Sequence, residues 1–131
     1  MPSGESFIKL VDSTGWNGIT DKGPKRLTEA LRNSWYVVSA FEEDELIAMG
    51  RVISDGVFQA LICDLIVLPD YQGRGIGSEI MRQLLSKCYE NDILMVQLFA
   101  AKDKHSYYKK FGFEARPTDA PGMRWMNRDI F

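Results

Sequence analysis

With 131 residues, the chain is long enough for one hydrophobic core, and a single domain over 1–131 is expected. The formal net charge is -2, with 45% apolar and 26% charged residues. That is ordinary for a soluble globular protein and argues against a nucleic-acid partner, which would call for a basic face. No apolar run approaches the roughly 20 residues that span a bilayer. The opening MPSGESFIKLVDSTGW lacks the basic segment and apolar core of a signal peptide, so a cytoplasmic location without a membrane partner is expected. Cys63 and Cys88 are the only cysteines and His105 the only histidine, with no Cys-x-x-Cys. The cysteines therefore read as reduced core residues, and no metal site is expected.

In chain order, the first 23 residues are rich in Gly, Ser, Asp and Asn around a short apolar patch, Phe7 to Val11, which is expected to form an edge strand. Pro24 stands where a helix can start, and Leu27, Ala30 and Leu31 give that helix an apolar face. This predicts one N-terminal helix. WYVVSAF (35–41) and LIAMGRVI (46–53) are strands joined by the charged turn EEDE into a hairpin, and SDG (54–56) marks the next turn. VFQALICDLIVL (57–68) is apolar on both faces, as a strand covered on each side would be. After three glycines, Ile76, Ile80, Leu84 and Cys88 recur every four residues, with Met81 and Leu85 beside them, on a helix. ILMVQLFA (93–100) is again a strand, and strand–helix–strand at this length implies a parallel pair. A short helix around 103–111 and a last strand near GMRWMN (122–127) complete a mixed sheet.

The segment LIVLPDYQGRGIGSEIMRQLL (65–85) carries the chemistry. The first turn of a helix leaves backbone N–H groups without partners at the positive end of the dipole, which suits an anion, a phosphate above all. Gly73, Gly75 and Gly77 remove side chains there and permit turns that aim successive amides inward. A P-loop would need Lys-Ser/Thr directly after its closing glycine, but Gly75 is followed by Ile76, Gly77 and Ser78. The dinucleotide fingerprint G-x-G-x-x-G, counted from Gly73, ends on Ser78. A third pattern, Gln/Arg-x-x-Gly-x-Gly/Ala, is matched by Gln72, Gly75 and Gly77 behind a Pro-x-Tyr lead-in at Pro69 and Tyr71. The bland alternative is a strand-to-helix turn that binds nothing.

With SYYKKFGFEA (106–115), where Tyr108, Gly112 and Phe113 match a Phe/Tyr-Tyr-x-x-x-Gly-Phe signature, this pattern resembles the GNAT superfamily of acetyl-CoA-dependent N-acetyltransferases over about 46–126. The stretch GFEARPTDAPGMRW is similar to the C-terminal region of the branch related to plant and bacterial serotonin (aralkylamine) N-acetyltransferases. Residues 1 to 34 carry little of the resemblance. It implies an α+β fold: a mixed, mostly antiparallel sheet with a central parallel strand pair and helices on both faces. It implies acetyl-CoA as co-substrate, with acetyl moving to a primary amine by direct attack in a ternary complex, and neither cysteine lies where a covalent intermediate would need one. Within it, Gln72, Gly73, Arg74, Gly75, Ile76, Gly77 and Ser78 hold the pyrophosphate of coenzyme A. The backbone of Ile66, Val67 and Leu68 bonds the pantetheine arm, with an amide near Val67 facing the thioester carbonyl. Arg74 either bonds a phosphate or is a solvated loop arginine.

Tyr108 matches the general acid for the departing thiolate, a phenol being protonated at pH 7; its alternative is a core role like that of Tyr107 and Phe111. Asp64 stands alone among apolar residues from Ala60 to Pro69, where an unpaired carboxylate is costly. It either takes the amine's proton, directly or through water, or binds the ammonium, or has a structural role, paired with a neighbouring arginine or capped by backbone. Glu114 and His105 are weaker bases. The family's usual Asn, seven residues before the signature tyrosine, is Ala101 here. That departure and the short N-terminus motivate an alternative reading as a non-catalytic acyl-CoA-binding or regulatory module. A protein acetyltransferase for lysine or N-terminal amines is a third. A small-molecule amine is the favoured acceptor. Trp16, Trp35, Tyr36 and Trp125 could line an aromatic pocket or simply fill the core. Dimerisation through the last strand or an exposed edge stays open.

Overall fold

A computed structural model describes residues 1–15 and 23–126. They fall into two compact units, Met1–Leu98 and Phe99–Phe131, each treated by itself.

The first unit opens with a helix, α1 (Gly4–Asp12), where a strand over Phe7–Val11 was expected. Ser3 caps it by accepting a hydrogen bond from the Ser6 amide at 3.1 Å. Phe7, Leu10 and Val11 are buried together, and their i, i+3, i+4 spacing is that of one helix face. A second helix, α2 (Pro24–Arg32), begins at Pro24 and buries Leu31, so the N-terminal region holds two helices rather than one. They touch at Gly4, where a Cβ would lie 2.2 Å from the Pro24 carbonyl oxygen.

Next come β1 (Tyr36–Glu42) and β2 (Glu45–Ser54), the expected antiparallel hairpin. β3 (Gln59–Val67) pairs antiparallel with β2. It starts at Gln59 rather than Val57 because Asp55 Oδ1 accepts from the amides of Val57, Phe58 and Gln59 and holds them in a turn. Those bonds also keep the Asp55 carboxyl below the usual carboxylate range. After α3 (Ile76–Glu90), β4 (Met95–Leu98) pairs parallel with β3. β4 is shorter than the expected 93–100 because the Ile93 amide still bonds the end of α3, at Cys88 O, 3.1 Å away. Among the described residues the sheet has four strands in the order β1-β2-β3-β4, so the parallel pair lies at one end rather than in the middle.

The sheet is covered on both faces. On one, Phe7, Leu10, Val11 and Leu31 of the N-terminal helices pack with Leu46, Met49 and Ile66. On the other, α3 buries Ile80, Met81, Leu84 and Cys88. Neighbouring strand residues point to opposite faces, and Gly50, next to Met49, meets α3: a Cβ there would lie 2.9 Å from Leu84 Cδ1 and 3.0 Å from Ile80 Cγ2. Gly50 thus sets how closely α3 approaches the sheet.

Among its described residues, the second unit contains α4 (His105–Lys109) and otherwise irregular chain. The strand expected near 122–127 does not form over 121–126, and Asn127 lies outside the described residues. Met123, Trp125 and Met126 are exposed, without the alternation of a half-buried strand, and Phe99 fills the space where a Gly122 side chain would sit, 2.4 Å from its Cβ.

Replacing Gly50 by valine forces Leu84 and Ile80 outward. The expected loss is about 1–3 kcal/mol of stability, the range for overpacking a filled core, read as a lower midpoint in urea.

Candidate active site

β3 ends at Val67, and the chain then turns sharply into α3. Leu68 stays tied to the sheet, its amide donating to Ile47 O at 2.8 Å. A 3-10 turn over Pro69–Tyr71 follows, closed by Tyr71 N to Leu68 O (2.9 Å) and Gln72 N to Pro69 O (3.3 Å). Gln72 Nε2 donates back to Val67 O at 3.0 Å, so this side chain braces the loop against the strand end.

Gly73 and Gly75 adopt left-handed conformations, φ 77° and 82°, and nothing lies within 4 Å of where their side chains would project. Gly75 is the N-cap of α3 and offers no capping side chain. The first helical bond is Glu79 N to Gly75 O, 3.1 Å, so the amides of Ile76, Gly77 and Ser78 lie ahead of any carbonyl one turn back in the helix. The result is open space beside Gly73 and Gly75 at the positive end of a 15-residue helix. Arg74 lies over the Tyr71 ring, 5.2 Å from its centroid. The neighbouring Glu42 carboxylate pushes the Tyr71 phenol up to about 12, with burial and the charge of Glu45 adding to it. Ile66, Val67, Leu68 and Gln72 to Ser78 therefore form one continuous strand–turn–helix corner.

Asp64 belongs to the same strand. Its Oδ2 accepts from Arg51 Nε at 2.6 Å. The structure thus contains the arginine pairing that the sequence left as one of three readings. Arg51, a lone charge in an apolar strand, carried the same signal as Asp64 and went unremarked. Cys63, next to Asp64, is half-buried, and burial with the Asp64 carboxylate pushes its thiol up to about 11.

In the second unit the tyrosine signature has a local physical meaning. The Phe113 amide donates to Tyr108 O at 3.4 Å, the Gly112 amide donates to Lys109 O at 3.0 Å, and Gly112 has φ 92°. These are the six-to-one and five-to-two bonds of a Schellman helix terminus with glycine in its left-handed position. The Tyr108 and Phe113 rings, 6.3 Å apart and edge to face, supply its usual apolar contact. Tyr108 also meets Tyr107 at 5.2 Å, and burial raises its pKa above the ordinary phenol value. His105, Glu114 and Ala101 are exposed in this unit. Of the aromatic residues considered for a pocket, Trp35 lies by Gly56, Tyr36 under the Lys87 ammonium, Trp125 in the second unit, and Trp16 outside the described residues.

Residues 11–113 match the model of the Acetyltransferase (GNAT) family. A protein named uncharacterized N-acetyltransferase ycf52, from Pyropia yezoensis, is 35% identical over 92% of this chain and 70% of its own length. Serotonin N-acetyltransferase 2, chloroplastic, from Oryza sativa subsp. japonica is 30% identical over 81% of this chain, which spans only 55% of that protein. Among solved structures, a GNAT family acetyltransferase from Streptococcus pneumoniae superposes with a TM-score of 0.81 at 32% identity, covering 98% of this chain and 93% of its own. A Clostridium acetobutylicum acetyltransferase solved with acetyl-CoA shares the fold, with a TM-score of 0.74 at 20% identity and 98% and 89% coverage. The glycine corner, the tyrosine signature and these likenesses converge: the chain belongs to the GNAT family, as an acetyl-CoA-dependent N-acetyltransferase.

Proposed function

We propose that this enzyme moves acetyl from acetyl-CoA to the primary amine of a small molecule by direct attack, with both substrates bound at once. The observation that carries the reading is the side-chain-free N-terminus of α3 at the end of β3, with Gly73 and Gly75 left-handed. In this reading the amides of Ile76, Gly77 and Ser78 hold the pyrophosphate, and Arg74 adds a charge-assisted contact. The backbone of Ile66 to Leu68 bonds the pantetheine arm, and the amide near Val67 stabilises the oxyanion. A fixed backbone donor of this kind contributes on the order of 3 kcal/mol to the barrier.

Tyr108 protonates the leaving thiolate. Its raised pKa favours the role, because the phenol keeps its proton beyond the ordinary value. A direct mechanism also agrees with Cys63, whose protonated thiol is a poor nucleophile. An aromatic amine such as serotonin is the first acceptor to test, on the strength of the rice relative's name. The net charge of -2 favours a small acceptor over nucleic acid.

Gly75→Asn tests the corner, since asparagine tolerates a left-handed backbone yet places a side chain in the open space there. Acetyl-CoA affinity should fall at least tenfold by calorimetry while the melting temperature of the free protein holds. An unchanged affinity would remove α3 from cofactor binding.

Tyr108→Phe should keep acetyl-CoA affinity and lower kcat roughly 10²-fold, the scale of one general acid. Loss of a raised-pKa proton also fixes a sign: the wild-type rate should show no alkaline decline from Tyr108 until above about pH 10. A wild-type decline well below that, absent in the variant, would contradict the assignment.

A further inference from the structure

Asp64 has a left-handed backbone, φ 55°, in the middle of a strand. There the register between β2 and β3 slips: Met49 faces Ile66 and Arg51 faces Cys63, so Asp64 and Leu65 together stand opposite Gly50. This is a β-bulge. Its carboxylate is held by Arg51 at 2.6 Å, with side chains only 18% and 15% exposed. Arg51 is itself fixed from the N-terminal helices. Its Nη1 donates to Ala30 O (3.3 Å) and Ser34 Oγ (3.1 Å), and its guanidinium lies 5.9 Å from the Phe7 ring centroid. Beyond the bulge, β3 continues through Ile66 to its end at Val67 and the chain goes on to Leu68, the segment assigned above to the acetyl-CoA arm.

We propose that Arg51 and Asp64 are a positioning pair for acetyl transfer: their contact holds the bulge, and the bulge sets the register of the Ile66–Leu68 segment, and with it the amide near Val67, against the thioester. This inference rests on the assignment of those amides proposed above. The geometry favours positioning over proton transfer. Oδ2 is engaged by a guanidinium that α2 holds in place, and moving the carboxylate to an amine would leave that half-buried cation without its counter-charge. The lever is large. Removing the bulge slides the strand end by one residue, about 3.3 Å, and turns each amide to the other side. Misplacement by about 1 Å can already cost on the order of 10²-fold in rate.

The test compares Arg51→Met, Arg51→Lys and Asp64→Asn. It uses kcat with serotonin as probe acceptor, acetyl-CoA affinity by calorimetry, and the NMR shifts of the Ile66, Val67 and Leu68 amides. Lysine keeps the charge without the guanidinium fork and serves if Arg51→Met fails to fold. Asparagine tolerates the left-handed backbone and retains an oxygen for Arg51. The expected result is that kcat falls in step with displacement of the three amides, at least tenfold in Arg51→Met and less in Asp64→Asn, with acetyl-CoA affinity changed less than threefold. Loss of 10²-fold or more in Asp64→Asn with the amides unmoved would make Asp64 the base and overturn the proposal. So would a lower melting temperature in the Arg51 variants with kcat intact. Wild-type amides at 66–68 that ignore acetyl-CoA would instead overturn the binding assignment itself.

Discussion

An α-helix cannot satisfy its own first amides, and in this fold that deficit lies at the end of β3. Everything around α3 serves to hold it there without covering it. Ile80, Met81, Leu84 and Cys88 bury one stripe of the helix against the sheet. Gly50 allows the approach to be close. Gln72 ties the loop to the strand end, and Gly73 and Gly75 leave open space where side chains would project. The proposed anion site is therefore a by-product of core packing on one side and missing side chains on the other.

The same economy explains the tyrosine signature. Gly112 and Phe113 matter to Tyr108 because they finish the helix that carries it. The left-handed glycine lets the chain reverse, and the phenylalanine ring returns to the tyrosine one turn earlier. A pattern of this kind records a helix terminus as much as a reacting group.

Much of this was legible in the sequence. The β1–β2 hairpin followed from a charged turn between two apolar runs, and the β3–α3–β4 unit from the four-residue spacing of Ile76 to Cys88. The glycine corner was legible because α3 starts where three residues lack side chains. The N-terminus misled because FIKLV satisfies two periods at once. Its decisive feature was Ser3, an N-cap that makes a helix of the patch. The last strand misled because GMRWMN is apolar without alternating. An arginine partner for Asp64 could be named only as one alternative, and Arg51 not at all: the two are 13 residues apart, and the register joining them depends on a backbone twist at Asp64 itself.

The two thiols have a consequence of a different kind. Burial raises both Cys63 and Cys88, the first with help from a neighbouring carboxylate. Since the thiolate is the species that reacts with electrophiles, the folded protein should be nearly silent toward alkylating and disulfide reagents at neutral pH. Coenzyme A released during turnover would then be the reactive thiol in solution. Partial unfolding would announce itself as labelling, with Cys88 reporting the α3 side of the core and Cys63 the strand beside the bulge.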